Sequence, residues 1–348
     1  MSAEPLLLAQ TANGLRRFAP GVALAAAVAI AALLLERLIG PLVPIPAMVL
    51  ALLVGIALNP LATKPLSQPG IAFCGKTLLR WAVACLGIRI ALADIASLGV
   101  AAAVLVVAAM AATLLSGFAL ARMFGQTVGF GALAGAGTAV CGASATLATA
   151  TVVPHYHGKE ADIAFVVVAV NTLSTGAMVL YPLLCARLGF DPQLSGVMLG
   201  GTIHDVAQVV GAGYAMSEPV GNVAVIVKLF RVFLLLPVVL AVSWYFTRSP
   251  SAYGRAKVPV PVFALVFLAL CLINSVAPYL PAVAPIYQPV KSALTLASTG
   301  GLLMAIAALG LDTSPSAIAS LGWRHVATMT GTTLVILVIV TAGLLLLG

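Results

Sequence analysis

The chain has 348 residues, of which 62% are hydrophobic and only 7% charged. A soluble domain is about half apolar and about a quarter charged. This chain cannot clothe a water-facing surface, so it is an integral membrane protein. Its net charge of +8 comes from Lys and Arg placed singly in loops, which speaks to membrane topology and not to nucleic acid.

A membrane-crossing helix needs about 20 mainly apolar residues. Eleven such segments follow one another. The first, 19–39, comes after Arg16 and Arg17 and runs into "LLLERLIG" with no small-residue cleavage site, so it reads as a retained helix. The second, 43–59, ends in the turn-rich "NPLATKPLSQPG". The third, 71–93, carries Lys76, Arg80 and Arg89. Lys76 and Arg80 lie near its start and are expected to snorkel toward the headgroups. The fourth is 97–121.

The fifth, 128–150, is a poor helix. Its "GFGALAGAGTAVCGASATLATA" holds Gly129, Gly131, Gly135, Gly137 and Gly142, with Thr138, Cys141 and Ser144 among them. The sixth, 161–187, contains "NTLSTG" from Asn171. The seventh, 194–215, has Gly200 and Gly201, then Thr202, His204, Asp205 and Gln208. The eighth, 220–247, places Lys228 and Arg231 three residues apart on one helix face. The ninth, tenth and eleventh are 259–281, 289–311 and 322–347. No connection is long enough for a soluble domain, so residues 1–348 read as one transmembrane domain. The five cysteines sit in apolar segments without metal-ligand spacing.

With the N-terminus inside, Arg16, Arg17, Lys64, Arg122, Arg187, Arg248, Arg255, Lys257 and Arg324 fall on the inner side, and only Arg37, Lys159 and Lys291 on the outer. The positive-inside rule then predicts a cytoplasmic N-terminus and an outside C-terminus.

One sentence is written twice. "ACLGIRIALADIASLG" (84–99) and "AALGLDTSPSAIASLG" (307–322) share the "LG" pair and the closing "IASLG". They close the third and tenth segments, seven crossings apart. Copies separated by an odd number of crossings point in opposite directions, which is the mark of an inverted-topology repeat. The helix ending at Gly99 is therefore expected to run against the one ending at Gly322.

Glycine costs about 1 kcal/mol relative to alanine inside a helix, and irregular backbone at membrane depth is tolerated only where it is buried or lines a cavity. Segments 135–146 and 200–209 are thus expected to be broken near mid-membrane and to face one cavity. An ionisable residue at bilayer centre costs about 2.5–3.5 kcal/mol and is functional by default. His204 or Asp205 could relay a proton; Asp205 could instead pair with Arg231. Lys228 and Arg231 outnumber the acids within the spans, which points to an anionic ligand, with Arg231 the better candidate for direct oxyanion contact. Asn171 is either a cavity ligand or interhelical glue.

The motifs "GTAVCGASA" (137–145), "NTLSTGAMVLYPLL" (171–184), "GTIHDVAQVVGAG" (201–213) and "VKLFRVFLLLP" (227–237), in this order, resemble the YeiH-type family of sulfate exporters, over about residues 20–345. That family is similar to the cation/proton-antiporter and anion-transporter group. The resemblance implies an all-α membrane protein of about eleven helices with inverted repeats and discontinuous helices. It implies a secondary carrier of sulfate, a sulfonate or a similar oxyanion in the inner membrane, with no cofactor or metal. Carried over, the binding residues are Thr138, Cys141, Gly142, Ser144, Asn171, Thr202, Gln208, Lys228 and Arg231, with His204 and Asp205 for ion or proton coupling. A homodimer is compatible with it. The rival is an intramembrane hydrolase with Ser144 as nucleophile and His204 as base, although "CGASA" lacks the G-x-S-x-G elbow. If the fifth and seventh segments are repeat mates, they should be an odd number of crossings apart, and by this count they are not. The mate of the fifth could instead be the tenth, with "STGG" at 298–301.

Overall fold

The computed structural model describes residues 4–39, 47–62, 64–247, 262–280, 283–312 and 322–347. Among them there is no strand. The helices in chain order are α1 (Glu4–Ile39), α2 (Ala47–Ala57), α3 (Asn59–Ala62), α4 (Gln68–Ala72), α5 (Leu79–Leu86), α6 (Leu92–Ser97), α7 (Gly99–Met123), α8 (Val128–Ala139), α9 (Ala143–Ala150), α10 (Lys159–Leu188), α11 (Pro192–Thr202), α12 (Val206–Met216), α13 (Glu218–Phe233), α14 (Leu235–Thr247), α15 (Val262–Val276), α16 (Ala284–Asp312) and α17 (Trp323–Leu347). A π-helical turn, Phe73–Leu78, joins α4 to α5. Each expected segment is helical, and eight stretches are long and apolar enough to cross a membrane. The basic loop 248–261 and the second "IASLG" up to Leu321 lie outside the described residues.

The single domain expected from the sequence is built as two compact helical units. One comprises Met1–Ala91 with Leu265–Ser314, the other Leu92–Ala264 with Pro315–Gly348.

The first unit explains the repeated sentence. Gly75 faces Leu309, while Ala82, one helical face further on, meets Gly301 and accepts a hydrogen bond from Ser298 at 2.9 Å. Rising numbers from Gly75 to Ala82 meet falling numbers on α16, so the helices that open the two copies run antiparallel. Gly87 and Gly310 are the same glycine of the repeat, 223 residues apart. A methyl group on Gly87 would strike the backbone of Phe267 in α15, and one on Gly310 the backbone of Leu52 in α2. In each copy the "LG" glycine lets the helix preceding the other copy close onto it.

In the second unit the helices that follow the two copies are also antiparallel. Leu120 packs on Gly331 and Leu105 on Gly343, which aligns α7 against α17 in reverse. The inverted repeat thus extends through both.

The fifth and seventh segments do not cross. Thr146 Oγ1 lies over Gly137, and Tyr156, beyond α9, covers Gly129 at the start of α8. A straight continuation would carry α9 away from both. Hence α8 and α9 form a re-entrant hairpin that turns at Val140–Gly142. Similarly, Gly196 early in α11 and Gly213 late in α12 both rest on the first turns of α13, at Val220, Gly221 and Val223. Helices α11 and α12 form a second hairpin, turning at Ile203–Asp205. The two enter from opposite sides. Along α17, the α8 contacts advance from His325 to Thr332 as numbers rise from Phe130 to Thr138. The α11 contacts retreat from Val340 to Thr333 between Gly201 and His204.

This corrects the crossing count and removes the parity conflict. Only α10 crosses between the hairpins, an odd number, so hairpins entering from opposite sides satisfy the rule for repeat mates. The alternative mate fails on geometry, because α16 is an unbroken helix through 298–301.

The antiparallel arrangement predicts a cross-link. In a protein whose five native cysteines are replaced, Ala82→Cys with Gly301→Cys should oxidise to a disulfide, read as protection from a thiol-reactive polyethylene glycol. Ala82→Cys with Leu309→Cys should remain free. The reverse pattern would contradict the antiparallel register.

Candidate functional site

Each hairpin leaves carbonyl oxygens without partners where its first helix stops. At membrane depth these groups have no water to turn to. The sequence supplies two cations for them from α13, which packs along the second hairpin. Its close approach depends on small residues: Gly200 lies against the Ala224 backbone and Gly213 against Gly221.

Lys228 and Arg231 are both fully buried. The Lys228 ammonium donates to the carbonyls of Val140 at 2.7 Å, Ile203 at 3.0 Å and His204. The Arg231 guanidinium donates from Nε to Ala139 at 3.1 Å. Its Nη1 donates to Gly200 and Ile203 at 3.0 Å each, and its Nη2 to Thr138 and Ala139 at 2.9 Å each. An ammonium has three N–H donors and a guanidinium five, and all of them are used. The acceptors are three residues at the end of α8 and three at the end of α11. Each helix C-terminus carries roughly half a negative charge, so two facing ends would repel without the cations between them.

The sequence suggests that Arg231 touches an oxyanion or pairs with Asp205. The structure gives its donors to carbonyls instead. Asp205 caps α12, its carboxylate accepting from the Ala207 N–H at 3.2 Å, while its own N–H donates to Ser174 at 3.1 Å.

The hairpins differ at their second helices. Helix α12 begins with a carboxylate cap. Helix α9 begins at Gly142, whose φ of 69° is left-handed and which has no side chain to cap with. Only glycine takes that conformation without strain. The first two N–H groups of α9, at Ala143 and Ser144, therefore face the tip without a capping side chain, while the buried Ala145 N–H lies on the Cys141 sulfur. Ser144 is exposed, and Ala143, Asp205 and Asn171 are half-buried, so this end of the tip is open. The break lies next to its partner: the nearest neighbours of Gly142 are Val170 and the His204 carbonyl.

The remaining expected residues are brought to the same place in different roles. Thr138 meets Thr332 of α17 at 3.0 Å, and His204 Nε2 meets Thr333 at 2.9 Å. Thr202 bonds back to the Met198 carbonyl within its own helix. Gln208 donates to Asn171 Oδ1 at 3.1 Å, bridging α12 to α10, and its own Oε1 is buried without a partner. Cys141 is buried in the first turn region. Where the sequence leads one to expect a shared cavity, the tips meet directly through Lys228 and Arg231, and Ser144 at the start of α9 stays exposed. Thr332 and Thr333 were not singled out from the sequence; the run "TMTGTT" at 328–333 in an otherwise apolar helix was the available signal.

The base of the first hairpin is anchored too. Tyr156 donates to Asp162 at 2.9 Å, and His325 lies 3.2 Å from the other Asp162 oxygen. Burial, together with that carboxylate, pushes the Tyr156 hydroxyl well above its usual range.

Removing Arg231 would leave buried carbonyls without donors, each costing about 1–3 kcal/mol. Arg231→Met and Lys228→Met should each lower the thermal transition in detergent sharply, with Arg231→Lys falling between Met and wild type. Unchanged transitions in both Met variants would show that the cations do not hold the tips.

The comparisons agree on one family. The profile described as "Conserved hypothetical protein 698" matches residues 20–329. "UPF0324 membrane protein TauZ" of Paracoccus pantotrophus is 44% identical over 333 residues, covering 94% of this chain and 95% of its own. The protein of that name from Paracoccus denitrificans is 42% identical, with the same coverage. A UPF0324 membrane protein of Chlorobaculum tepidum is 40% identical over 93% of this chain and 88% of its own. No solved structure matches.

Proposed function

Because the chain belongs to the UPF0324 family of multi-pass membrane proteins, in agreement with the resemblance read from its motifs, we propose that it is a secondary transporter of a small oxyanion. Sulfate and sulfonates are the leading substrates. The observation that supports this most directly is the pair of opposed re-entrant hairpins, whose tips meet around Lys228 and Arg231 and leave the N-terminus of α9 uncapped. Half-helix N-termini aimed at a midplane site are how many carriers bind anionic groups.

In this reading the anion accepts from the Ala143 and Ser144 amides and the Ser144 hydroxyl. Asn171 borders the opening, and Thr138, Cys141, Thr202 and Gln208 shape the tip from behind. Lys228 and Arg231 contribute their field and not their donors. Their two charges exceed what two helix C-termini of about half a charge each neutralise, and the surplus favours an anion. Asp205 opposes it with one negative charge. Protonating Asp205 removes that opposition, so anion and proton travel together. His204, set between the tips and Thr333, is the second candidate for coupling.

The orientation survives the corrected crossing count. Lys159 moves to the inner side and Arg187 to the outer, and the inner excess of Lys and Arg is unchanged. We retain a cytoplasmic N-terminus in the inner membrane. The hydrolase reading finds no support in the hydrogen bonds: His204 Nε2 is on Thr333 and its Nδ1 has no partner, so neither nitrogen engages Ser144.

Proteoliposome uptake tests this. Radiolabelled sulfate or a sulfonate should enter faster with an inward proton gradient than without. Asp205→Asn should abolish that acceleration while leaving exchange. His204→Gln should flatten the pH profile only if the imidazole also carries the proton. Uptake no faster than in protein-free liposomes for all these anions would reject the transporter reading. Wild-type pH profiles in both variants would reject the coupling.

A further inference from the structure

Two cations of the first unit, Lys76 and Arg80, take no part in that mechanism. Lys76 and Arg80 lie on either side of the midpoint of the crossing stretch Gln68–Arg89. The sequence puts them near a span end, but the helix starts earlier, at Gln68, with Pro69 in its first turn. Each is eight or more residues from the nearer end of the stretch, or about 12 Å along a helix. That approaches the full half-thickness of the hydrocarbon layer, about 15 Å, which leaves little for a side chain to gain by snorkelling.

Both side chains are exposed, while Cys74, Leu79 and Ala82 beside them are buried. Among the described residues, neither Lys76 nor Arg80 donates a hydrogen bond to the protein or pairs with a carboxylate. Facing lipid there would cost about 2.5–3.5 kcal/mol for each charge. The backbone under them is also irregular. Lys76 sits in the π-helical turn Phe73–Leu78, where the Leu79 N–H reaches back to the Cys74 carbonyl. Such turns are frequent at functional sites.

The repeat supplies a control within the chain. At the positions 223 residues on, α16 carries Thr299 and Leu303 and remains a regular helix. The packing that the two copies share therefore requires neither the cations nor the π turn.

We propose that Lys76 and Arg80 hold an oxyanion in a water-filled crevice at mid-membrane, a second anion station carried by the first unit. The inference rests on the anion-transporter reading for its ligand, but its test reads access and charge and needs no transport. Arg80 offers a bidentate fork and Lys76 a point charge one turn away. Thr77, exposed between them in sequence, gives a reporter that leaves both cations in place.

The experiment uses Thr77→Cys in the full chain with the five native cysteines replaced, in phosphatidylcholine vesicles. Relative to their rates with a free thiol in solution, a sulfonate-bearing methanethiosulfonate should be favoured about tenfold over its trimethylammonium counterpart, as two nearby positive charges in a confined aqueous space would dictate. Millimolar sulfate should slow that reaction. Lys76→Gln with Arg80→Gln should return the ratio of the two rates to its free-thiol value and abolish the sulfate effect. No reaction with either reagent from either face, or the free-thiol rate ratio with the cations present, would overturn the proposal. So would an anionic preference that sulfate does not reduce, because a lipid phosphate and not a free oxyanion would then hold the site. If sulfate protects the thiol but no anion is carried, the transporter reading fails and the site stands.

Discussion

The second unit depends on one arrangement: an ammonium and a guanidinium set among the backbone carbonyls that end α8 and α11. Re-entrant backbone at membrane depth must find internal donors for its carbonyls. A neutral donor would satisfy some of them but would leave two negative helix ends facing each other. Lys228 and Arg231 supply both the donors and the charge, and they do so from one helix face. That face can reach the tips because Gly200 and Gly213 let α13 lie close to the second hairpin. The consequence for function is a division of labour: the cations close the carbonyl ends, and the amide end of α9 is left for a ligand.

The inverted repeat organises the rest. The glycine of the repeated "LG" is the place where the helix preceding the other copy closes in, at Gly87 with Phe267 and at Gly310 with Leu52. The same symmetry accounts for hairpins that enter from opposite sides. It is not complete at the level of chemistry. The second hairpin brings its own carboxylate cap in Asp205, and the first begins its return helix with bare Gly142. Only one of the two tips can therefore offer its amides to an outside anion.

Much of this was legible in the sequence. Every apolar segment became a helix or a pair of helices, and the antiparallel repeat was inferable from one duplicated stretch. The re-entrant turns were not. A hairpin of two short helices has the length and apolarity of one crossing helix, and composition cannot distinguish going through from turning back. The available signal was indirect: two glycine-rich segments whose parity was wrong for repeat mates if both crossed. The two cations of α13 are visible in the sequence, but their partners are not. Charge bookkeeping on a sequence counts side chains, and the acceptors here are backbone oxygens. Thr332 and Thr333 went unnoticed for a related reason, since a hydroxyl in a membrane helix usually bonds back to its own helix, as both also do here to Met329.

On this reading an anion binds at the amide end of α9 while Lys228 and Arg231 stay on their carbonyls. This is tested most directly by a structure of the protein with selenate, located by its anomalous scattering. A peak is expected within hydrogen-bond distance of the Ala143 and Ser144 amides, with the carbonyl contacts of Lys228 and Arg231 intact. A peak lying between the Lys228 ammonium and the Arg231 guanidinium, with those carbonyls released, would contradict it.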